Sequence, residues 1–333
     1  MIISKTPYRI SFFGGGSDYP EWYKENGGKV LSATIDKYIY ISCRYLPPFF
    51  DHKYRIVWSK LETVKKINQI NHKAVKEMLN YYKLKDGLEI HYDGDLPARS
   101  GMGSSSVFVV GLMNLLQTFM KKKLTTKKLA EESIYFEQKI LKEAVGSQDQ
   151  IAAAYGGFNK IVFKKKDGFE VKKLILNKRI IKKLNNNLLL IYTGLKRNAQ
   201  DIAKGYVKKL RTNKRENINN IVNLVEESEK ILKQGKLDEF GKLLHESWLE
   251  KKDLSNSITN TKIDEIYNLA ISKGALGGKL LGAGGGGFLL FYVPKPDQKK
   301  FLKYFKKLVN IPFNFSYEGS SIMFNNKDNK IIS

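Results

Sequence analysis

The residues best suited to chemistry lie in three glycine-rich segments, and the first of these contains both an arginine and an aspartate. Arg9 lies in an apolar and aromatic run that predicts a strand, and Asp18 follows three consecutive glycines. Consecutive glycines let a backbone adopt positive φ and approach a ligand closely. A hairpin turn needs one or two glycines, so the segment predicts a pocket flanked by Arg9 and Asp18. A glycine turn between strands, with Asp18 as a turn residue, is the alternative.

The second segment is a run of small residues, 97–106, that leads directly into a long apolar stretch. The apolar stretch predicts a buried helix over residues 104–122. Free backbone N–H groups and the positive end of the helix dipole would make the loop before this helix an anion site. The loop does not match the pattern G-x-x-x-x-G-K-[ST], because no lysine follows its glycine. A serine that caps the helix after a flexible loop is the alternative.

The third segment, residues 277–288, is the richest in glycine. Gly282, Gly284 and Gly287 satisfy the pattern G-x-G-x-x-G, but the residues that follow predict a strand over 288–293. A dinucleotide site needs a helix there and its βαβ unit, so this interpretation is rejected. We expect the loop to pack closely against a neighbouring segment or a ligand.

Two of the acidic residues between the second and third segments, Glu137 and Asp149, are candidate site residues. Ser147 and Gln150 have the spacing of a capping box, which predicts a short helix with Asp149 in its first turn. Taken alone, Asp149 needs no function, since an acid at a helix start is stabilising by ~0.3–1 kcal/mol. Glu137 lies in an amphipathic helix predicted over residues 126–142.

Strand and helix patterns are distributed along the chain as in an α+β protein. Strands are predicted over residues 1–13, 30–46, 88–92, 157–163, 188–192, 279–281, 288–293 and 314–317. Helices are predicted over residues 72–84, 104–122, 126–142, 198–210, 216–234, 237–251, 262–273 and 297–308. The polar stretch 177–187 is the best boundary candidate, and it divides the chain into residues 1–185 and 186–333.

Composition excludes several classes of protein. The chain has 333 residues, a length that predicts about two domains. A single cysteine, Cys43, excludes a disulfide framework, and the scattered histidines lack the spacing of zinc ligands. The sequence has no apolar run of the ~20 residues that a membrane span needs, and it does not begin like a signal peptide. We therefore expect a cytoplasmic protein with no membrane partner.

The net charge of +25, from 58 basic and 33 acidic residues, favours anionic partners such as phosphorylated metabolites or nucleic acid. Most of the excess is lysine spread over the predicted helices, which is typical of a compositional bias. Nucleic-acid surfaces interleave aromatic with basic residues, and the basic residues here lack aromatic partners. We therefore expect no nucleic acid partner, and a non-catalytic nucleic-acid-binding protein is the less favoured alternative.

Taken in order, the three segments resemble the motifs of the GHMP kinases, which include galactokinase, homoserine kinase, mevalonate kinase and phosphomevalonate kinase. The resemblance covers most of the chain. Residues 9–20 are most similar to the family's sugar-1-kinases that act on D-glycero-D-manno-heptose 7-phosphate. Galactokinases carry a Gly-Glu-His-Thr-Asp type sequence there and fucokinases Gly-Gly-Trp-Ser-Asp, where this chain has three glycines, a serine and an aspartate. Another GHMP sugar kinase, such as an L-fucokinase or a galactokinase, is the alternative.

The resemblance implies a two-domain GHMP kinase fold. An N-terminal α+β domain with a left-handed βαβ crossover would pack against a C-terminal ferredoxin-like domain, with the active site between them. It implies ATP and Mg²⁺ as cofactors and a small-molecule sugar phosphate as the substrate, which would be phosphorylated at its anomeric hydroxyl. The oligomeric state is left unknown.

The resemblance also assigns roles to residues. Asp149 would accept the proton of the attacking hydroxyl, Arg9 would lie near the transferred phosphoryl group, and Ser105 and Glu137 would bind Mg²⁺. The nucleotide would contact Arg99, Ser100, Gly101, Met102, Gly103, Ser104, Ser105 and Ser106. The acceptor would contact Ser11, Gly14, Gly15, Gly16, Ser17, Asp18, Arg197, Gly284 and Gly285. Arg99, Lys196 and Arg197 are candidates for the acceptor's phosphate, with solvated surface bases as the alternative.

Overall fold

The strands that the structure describes form two sheets. The computed structural model describes residues 1–166, 168–195, 202–203, 205, 207 and 214–326. The first sheet contains β1 (Ile2–Phe13), β2 (Gly28–Tyr45), β3 (Tyr54–Val57), β4 (Leu61–Val64), β5 (Leu88–Gly94), β6 (Phe158–Phe163), β7 (Phe169–Lys173), β12 (Phe315–Ser316) and β13 (Ser321–Asn325). The second contains β8 (Leu188–Tyr192), β9 (Gly277–Leu280), β10 (Phe288–Tyr292) and β11 (Val309–Ile311).

Helices fall in both halves of the chain, which confirms the predicted α+β class. Those before β8 are α1 (Pro20–Asn26), α2 (Lys73–Tyr81), α3 (Ser104–Phe119), α4 (Thr126–Tyr135), α5 (Gln148–Tyr155) and α6 (Lys178–Asn187). Those after β8 are α7 (Arg215–Gln234), α8 (Leu237–Lys252), α9 (Thr261–Ser272) and α10 (Gln298–Leu302). The helix predicted over 198–210 lies largely outside the described residues.

The long strands β1 and β2 form the centre of the first sheet. Its strand order is β13-β1-β2-β5-β3-β4, with β6 and β12 also paired to β2 and β7 paired to β6. β3 and β5 are parallel, with β4 and α2 in the connection between them, whereas β1 and β2 are antiparallel. The second sheet is antiparallel, in the order β11-β8-β10-β9.

Helix α3 packs directly on β1, because it is apolar around most of its circumference. Such a helix is stable only when it is buried on several sides, and eleven of its residues are buried. Gly111 allows the close approach: a Cβ there would lie 2.7 Å from the Thr6 hydroxyl of β1. The contact holds the start of α3 beside the end of β1.

An aromatic cluster joins the end of β1 to the second half of the chain. Phe12 lies 5.4 Å from Phe158 of β6, 5.5 Å from Phe240 of α8 and 6.2 Å from Phe315 of β12, measured between ring centroids. Buried aromatic pairs at these separations are stabilising beyond the area that they bury. The glycine loop that follows β1 therefore begins at a firmly packed point.

The last two strands return to the first sheet, where β12 pairs with β2 and β13 with β1. The change from the first sheet to the second occurs between Lys173 and Leu188, which brackets the boundary at 185/186. That boundary stays a prediction. Residues 315–325 belong by strand pairing to the sheet formed by the N-terminal half.

Several local predictions are corrected by the structure. The polar stretch 177–187, for which no element was predicted, forms the amphipathic helix α6, whose Leu184 is buried. The helix predicted over 126–142 ends as a π-helical turn, Phe136–Ile140. The hairpin of β3 and β4, helix α1 and the strands β7, β11 and β13 had no prediction. They are short, so their hydrophobic periodicity covers too few residues to identify them.

Gly14 supports a test of the turn that follows β1. Its φ is +86°, and a Cβ would lie 1.9 Å from the Lys29 carbonyl oxygen. We expect Gly14→Ala to lower the free energy of unfolding by about 2 kcal/mol or more, from backbone strain and overpacking. Gly15→Ala is the matched control, since its nearest atoms would lie 3.7 Å away, and we expect a change within about 0.5 kcal/mol. Equal urea midpoints for the two variants would contradict the analysis.

Candidate functional site

One arginine connects three of the segments singled out in the sequence. Arg9, at 3 % exposure, donates from Nε to Asp149 Oδ1 and from Nη2 to Asp149 Oδ2, each over 2.6 Å. Its Nη1 donates to the Gly101 carbonyl oxygen over 3.0 Å. A bidentate arginine–carboxylate pair fixes both groups in orientation as well as in distance. The pair therefore fixes Asp149 beside the loop that precedes α3.

That loop brings its backbone against Asp149. Gly101 and Gly103 have φ of +86° and +77°, and a Cβ on Gly103 would lie 2.9 Å from Asp149 Oδ2. Gly103 is the N-cap residue of α3, and no side chain caps this helix. The N–H groups of its first turn thus remain uncapped by a side chain, in a form that can bind an anion.

Of the remaining residues of this loop, some are buried and hold its backbone in place, and others are exposed. The buried Ser100 accepts a hydrogen bond at its carbonyl oxygen from the Phe288 N–H over 3.1 Å, and Met102 is buried as well. Arg99 is exposed with φ of +61°, and its N–H donates to the Ser104 hydroxyl over 3.3 Å. Ser105 donates from Oγ to Glu137 Oε1 over 3.2 Å.

Asp18 is a buried carboxylate that caps the helix carrying Asp149. It is 1 % exposed and accepts from the Gly16 N–H over 2.9 Å and from the Gln148 N–H over 3.3 Å. The capping box predicted for Ser147 and Gln150 is wrong, because the Ser147 side chain forms no capping hydrogen bond to α5. Burial, and then the charge of Asp149, raise the pKa of Asp18 to about 6. A Cβ on Gly146 would lie 1.9 Å from Asp18 Oδ2, so only glycine fits there.

Glu137 is fully buried in the π-helical turn after α4. Its two oxygens contact the Ser105 hydroxyl and the Gln150 amide. Burial raises the pKa of Glu137 to about 8. A carboxylate facing a hydroxyl supplies the hard oxygen ligands that Mg²⁺ prefers, and Mg²⁺ is commonly held by one or two carboxylates together with substrate phosphates. Ser105 and Glu137 therefore fit such an ion. Within the described ranges no three His, Cys, Asp or Glu residues group as a metal site.

The first glycine segment divides into structural and cavity-lining residues. Ser17 donates from Oγ to the carbonyls of Gly14 and Lys29 and accepts from the Lys29 N–H over 3.1 Å. Gly14 and Ser17 therefore hold the loop against β2. Gly15, Gly16 and Ser11 instead line a cavity.

This cavity has a volume of about 100 Å³. Acidic and basic side chains that the sequence predicted as site residues lie in its wall. The predicted residues that line it are Arg9, Ser11, Gly15, Gly16, Asp18 and Asp149. The hydroxyl of Ser11 and Oε1 of Gln148 are buried there and form no hydrogen bond to a described residue. Lys251, Lys279 and Gln148 also line it and had no prediction. A lysine inside the apolar strand β9 was the signal for Lys279.

The third segment forms one wall of the cavity. Gly282 and Ala283 line it, whereas the structure does not bring Gly284 and Gly285 to its surface. A Cβ on Gly284 would lie 2.6 Å from Ile258 Cα, and one on Gly285 would lie 2.2 Å from Ile202 Cδ1. Gly287 approaches the Ser100 carbonyl oxygen so closely that a Cβ would lie 2.0 Å from it. Its φ of +102° also favours glycine. Lys196 and Arg197 lie outside the described residues.

A larger cavity, of about 910 Å³, lies elsewhere, between the C-terminal end of α3, the start of α4 and β13. Its walls include Asn114, Phe119 and Ile322, and none of the predicted site residues. The ion pair of Arg9 and Asp149 and the buried Asp18 lie at the smaller cavity, which makes that cavity the candidate site. Among the helices that the structure describes, none has the length and apolar character to cross a membrane.

Comparison with protein families gives two matches along the chain. Residues 68–157 match the GHMP kinases N terminal domain, and residues 195–310 match the GHMP kinases C terminal domain. The two matches together cover more than half of the chain. They include the loop before α3, Glu137, Asp149 and the third glycine segment.

Individual relatives agree with these matches. The chain is 29 % identical, over 96 % of its length and 97 % of the relative's, to the D-glycero-alpha-D-manno-heptose 7-phosphate kinase of Campylobacter jejuni. It is 25 % identical, over 89 % of its length and 30 % of the relative's, to the bifunctional fucokinase/GDP-fucose pyrophosphorylase of Arabidopsis thaliana. The crystal structure of a D-glycero-D-manno-heptose 1-phosphate kinase from Bacteroides thetaiotaomicron is similar in fold. Its TM-score is 0.80 at 24 % identity, with 98 % of this chain and 100 % of that chain covered.

The buried Asp18 makes stability depend on pH. The pKa of Asp18 is about 6 in the folded protein, above its ordinary value of 3.8. Protonation of Asp18 therefore stabilises the folded state fully below its ordinary pKa of 3.8, and this stabilisation is lost as the pH rises through about 6. Relative to wild type, we expect Asp18→Asn to gain up to about 3 kcal/mol in unfolding free energy between about pH 4 and about pH 7. Urea unfolding at both pH values measures this. The exposed Asp51→Asn controls for net charge, and parallel pH curves for wild type and Asp18→Asn would refute the expectation.

Proposed function

Because this chain belongs to the GHMP kinases and is a sugar kinase, we propose that it transfers the γ-phosphoryl group of ATP to the anomeric hydroxyl of D-glycero-D-manno-heptose 7-phosphate. The products are the 1,7-bisphosphate and ADP. The relative from Campylobacter jejuni, which matches nearly end to end, supports this acceptor.

The observation that carries the proposal is the clamp made by Arg9. One guanidinium holds Asp149 through two hydrogen bonds and the Gly101 carbonyl through a third. The loop that can bind phosphates and the carboxylate that can accept a proton are thereby kept within a few ångströms. Phosphoryl transfer requires mainly alignment and charge neutralisation, and this clamp supplies both.

Asp149 acts on the acceptor hydroxyl. As the hydroxyl oxygen forms its bond to the γ-phosphorus, its proton passes to an Asp149 oxygen, and the bond between the γ-phosphorus and the bridging oxygen breaks to release ADP. An anomeric hydroxyl is more acidic than an ordinary alcohol, so a carboxylate is a sufficient base. Arg9 orients Asp149 and neutralises charge on the transferred group.

The loop at residues 99–106 binds the nucleotide phosphates in this proposal. The uncapped N–H groups at the start of α3 face the phosphate oxygens, and the glycines leave room for the backbone to approach them. Ser105 and Glu137 would hold Mg²⁺, which would neutralise charge on the phosphate oxygens. Gln150 keeps the other oxygen of Glu137 in place through its amide.

The acceptor occupies the cavity beside Asp149. Asp18, with two backbone N–H groups already bound to its oxygens, retains acceptor capacity for sugar hydroxyls. The Ser11 hydroxyl and the Gln148 amide oxygen are buried and available to hydroxyls as well. Gly15 and Gly16 let the loop approach the sugar, while Gly14 and Ser17 fix its path.

A panel of acceptors tests the proposed substrate. With ATP and Mg²⁺, we expect kcat/KM for D-glycero-D-manno-heptose 7-phosphate to exceed that for L-fucose and galactose by about 100-fold or more, because a site built to bind polar groups rejects sugars that lack them. Phosphorus NMR of the product should show the new phosphate on C1. A higher kcat/KM for L-fucose or galactose would overturn the substrate, and phosphate on another carbon would overturn the regiochemistry.

Substitution of Asp149 tests the proposed base. We expect Asp149→Asn to lower kcat by about 10²–10⁴-fold with little change in the KM for ATP, since the loop backbone and not Asp149 binds the nucleotide. Thermal unfolding of the variant establishes that it is folded. Asp253→Asn, on the exposed end of α8, is the control for charge. Turnover near that of wild type in Asp149→Asn would remove the base from the mechanism.

A further inference from the structure

A buried lysine lies in the acceptor cavity and has no place in the mechanism above. Lys279 comes from β9, a strand whose other residues are glycine and leucine, and it is 4 % exposed. Its side chain leaves the second sheet and reaches the end of β1, where Nζ donates to the Phe12 carbonyl oxygen over 2.5 Å. A lysine is seldom buried without a charged partner, since removing an ammonium from water is costly.

The charge of Lys279 is not balanced within the described part of the protein. It forms no ion pair with a described acidic residue, and the charged group that acts on it is the Arg9 guanidinium, which has the same sign. Burial, and then that charge, lower the pKa of Lys279 to about 7. An ammonium has three N–H donors, and one is used by Phe12. The other two donors form no hydrogen bond to a described residue.

A second lysine enters the same cavity from α8. Lys251 is 9 % exposed, and its Nζ donates to the carbonyls of Leu280 over 2.8 Å and Gly282 over 2.6 Å. Both carbonyls belong to residues that follow Lys279 closely within the third glycine segment. The two lysines therefore bring basic side chains to the cavity from two different elements, β9 and α8, which favours an anionic ligand.

We propose that Lys279 and Lys251 bind a phosphate group carried by the acceptor, so that the cavity selects phosphorylated over unphosphorylated sugars. This inference rests on the proposed function and identifies residues for the substrate's own phosphate. That phosphate accepts hydrogen bonds from the Lys279 donors that no described residue uses, and it places a negative charge beside this buried lysine.

The lining of the cavity assigns the phosphate to the acceptor. Ser11, Asp18 and Gln148, the residues proposed to bind sugar hydroxyls, line it together with the two lysines. The nucleotide loop, residues 101–106, does not line it. That loop instead meets the pair formed by Arg9 and Asp149 at Gly101 and Gly103. Because the loop is not part of the cavity lining, the phosphate proposed at Lys279 is distinct from the nucleotide phosphates.

The experiment compares two acceptors that differ only in the phosphate: D-glycero-D-manno-heptose 7-phosphate and D-glycero-D-manno-heptose. In Lys279→Met and in Lys251→Met, we expect the KM for the phosphorylated acceptor to rise by about 10–100-fold, because a charge-assisted hydrogen bond is lost. The KM for the unphosphorylated acceptor and the KM for ATP should change less than about twofold. Lys242→Met, on the exposed face of α8, is the matched control. In wild type, inorganic phosphate should compete with the phosphorylated acceptor, and this competition should weaken in both variants.

Three results would overturn the inference: equal losses on both acceptors, a raised KM for ATP, or no competition by inorganic phosphate. If Lys279→Met does not fold, because its bond to Phe12 is lost, Lys251→Met and the competition experiment still decide. Measurements on the wild-type protein distinguish a failure of this inference from a failure of the proposed substrate. If wild type uses other sugar phosphates and not the heptose, with KM still dependent on the lysines, the heptose is excluded and the phosphate site stands.

Discussion

The bidentate pair between Arg9 and Asp149 is the constraint on which the rest of the site depends. Arg9 belongs to β1, Asp149 to the first turn of α5, and Gly101 to the loop before α3. These elements are far apart in the chain, and the guanidinium is the point where they meet. Each element is immobilised by its own packing: β1 by the aromatic cluster around Phe12, α3 by contact with β1, and α5 by Asp18 at its start. Because packing already orders the backbone of these three elements, formation of the ion pair requires little further loss of conformational freedom.

The site contains charged groups that reduce stability in the free protein. Asp18, Glu137 and Lys279 are each held in surroundings that disfavour their charged forms. Burial of an incompletely compensated charge is costly, and proteins accept that cost where a ligand supplies the missing partner. Sugar hydroxyls, a divalent cation and a phosphate are the matching partners of these three groups. Ligand binding should therefore stabilise the fold by mass action as well as fill the cavity.

Most of the candidate site residues could be singled out from the sequence because they lie in compact motifs, although their roles stay predictions. Arg9, Asp18, the loop before α3, Glu137 and Asp149 all meet around one place. Gly284 and Gly285 were assigned to the acceptor, yet they pack against isoleucines, since composition does not tell which glycine of a run faces a ligand. Lys251 was missed because it is one of many lysines and only burial distinguishes it, whereas Lys279 had a signal in the sequence, its position inside an apolar strand, that was not used. The capping box failed for a similar reason: the cap of α5 comes from Asp18, which is distant in sequence.

The return of the last strands has a consequence for how the two halves can move. The polypeptide crosses from the first sheet to the second before β8 and crosses back before β12. Two covalent connections between the sheets restrain rotation of one sheet against the other more than a single connection would. Wide opening of the cleft would also have to pull β12 from β2 and separate Phe12 from Phe240. A fragment that ends at residue 185 would lack β13 and would leave that edge of β1 unpaired.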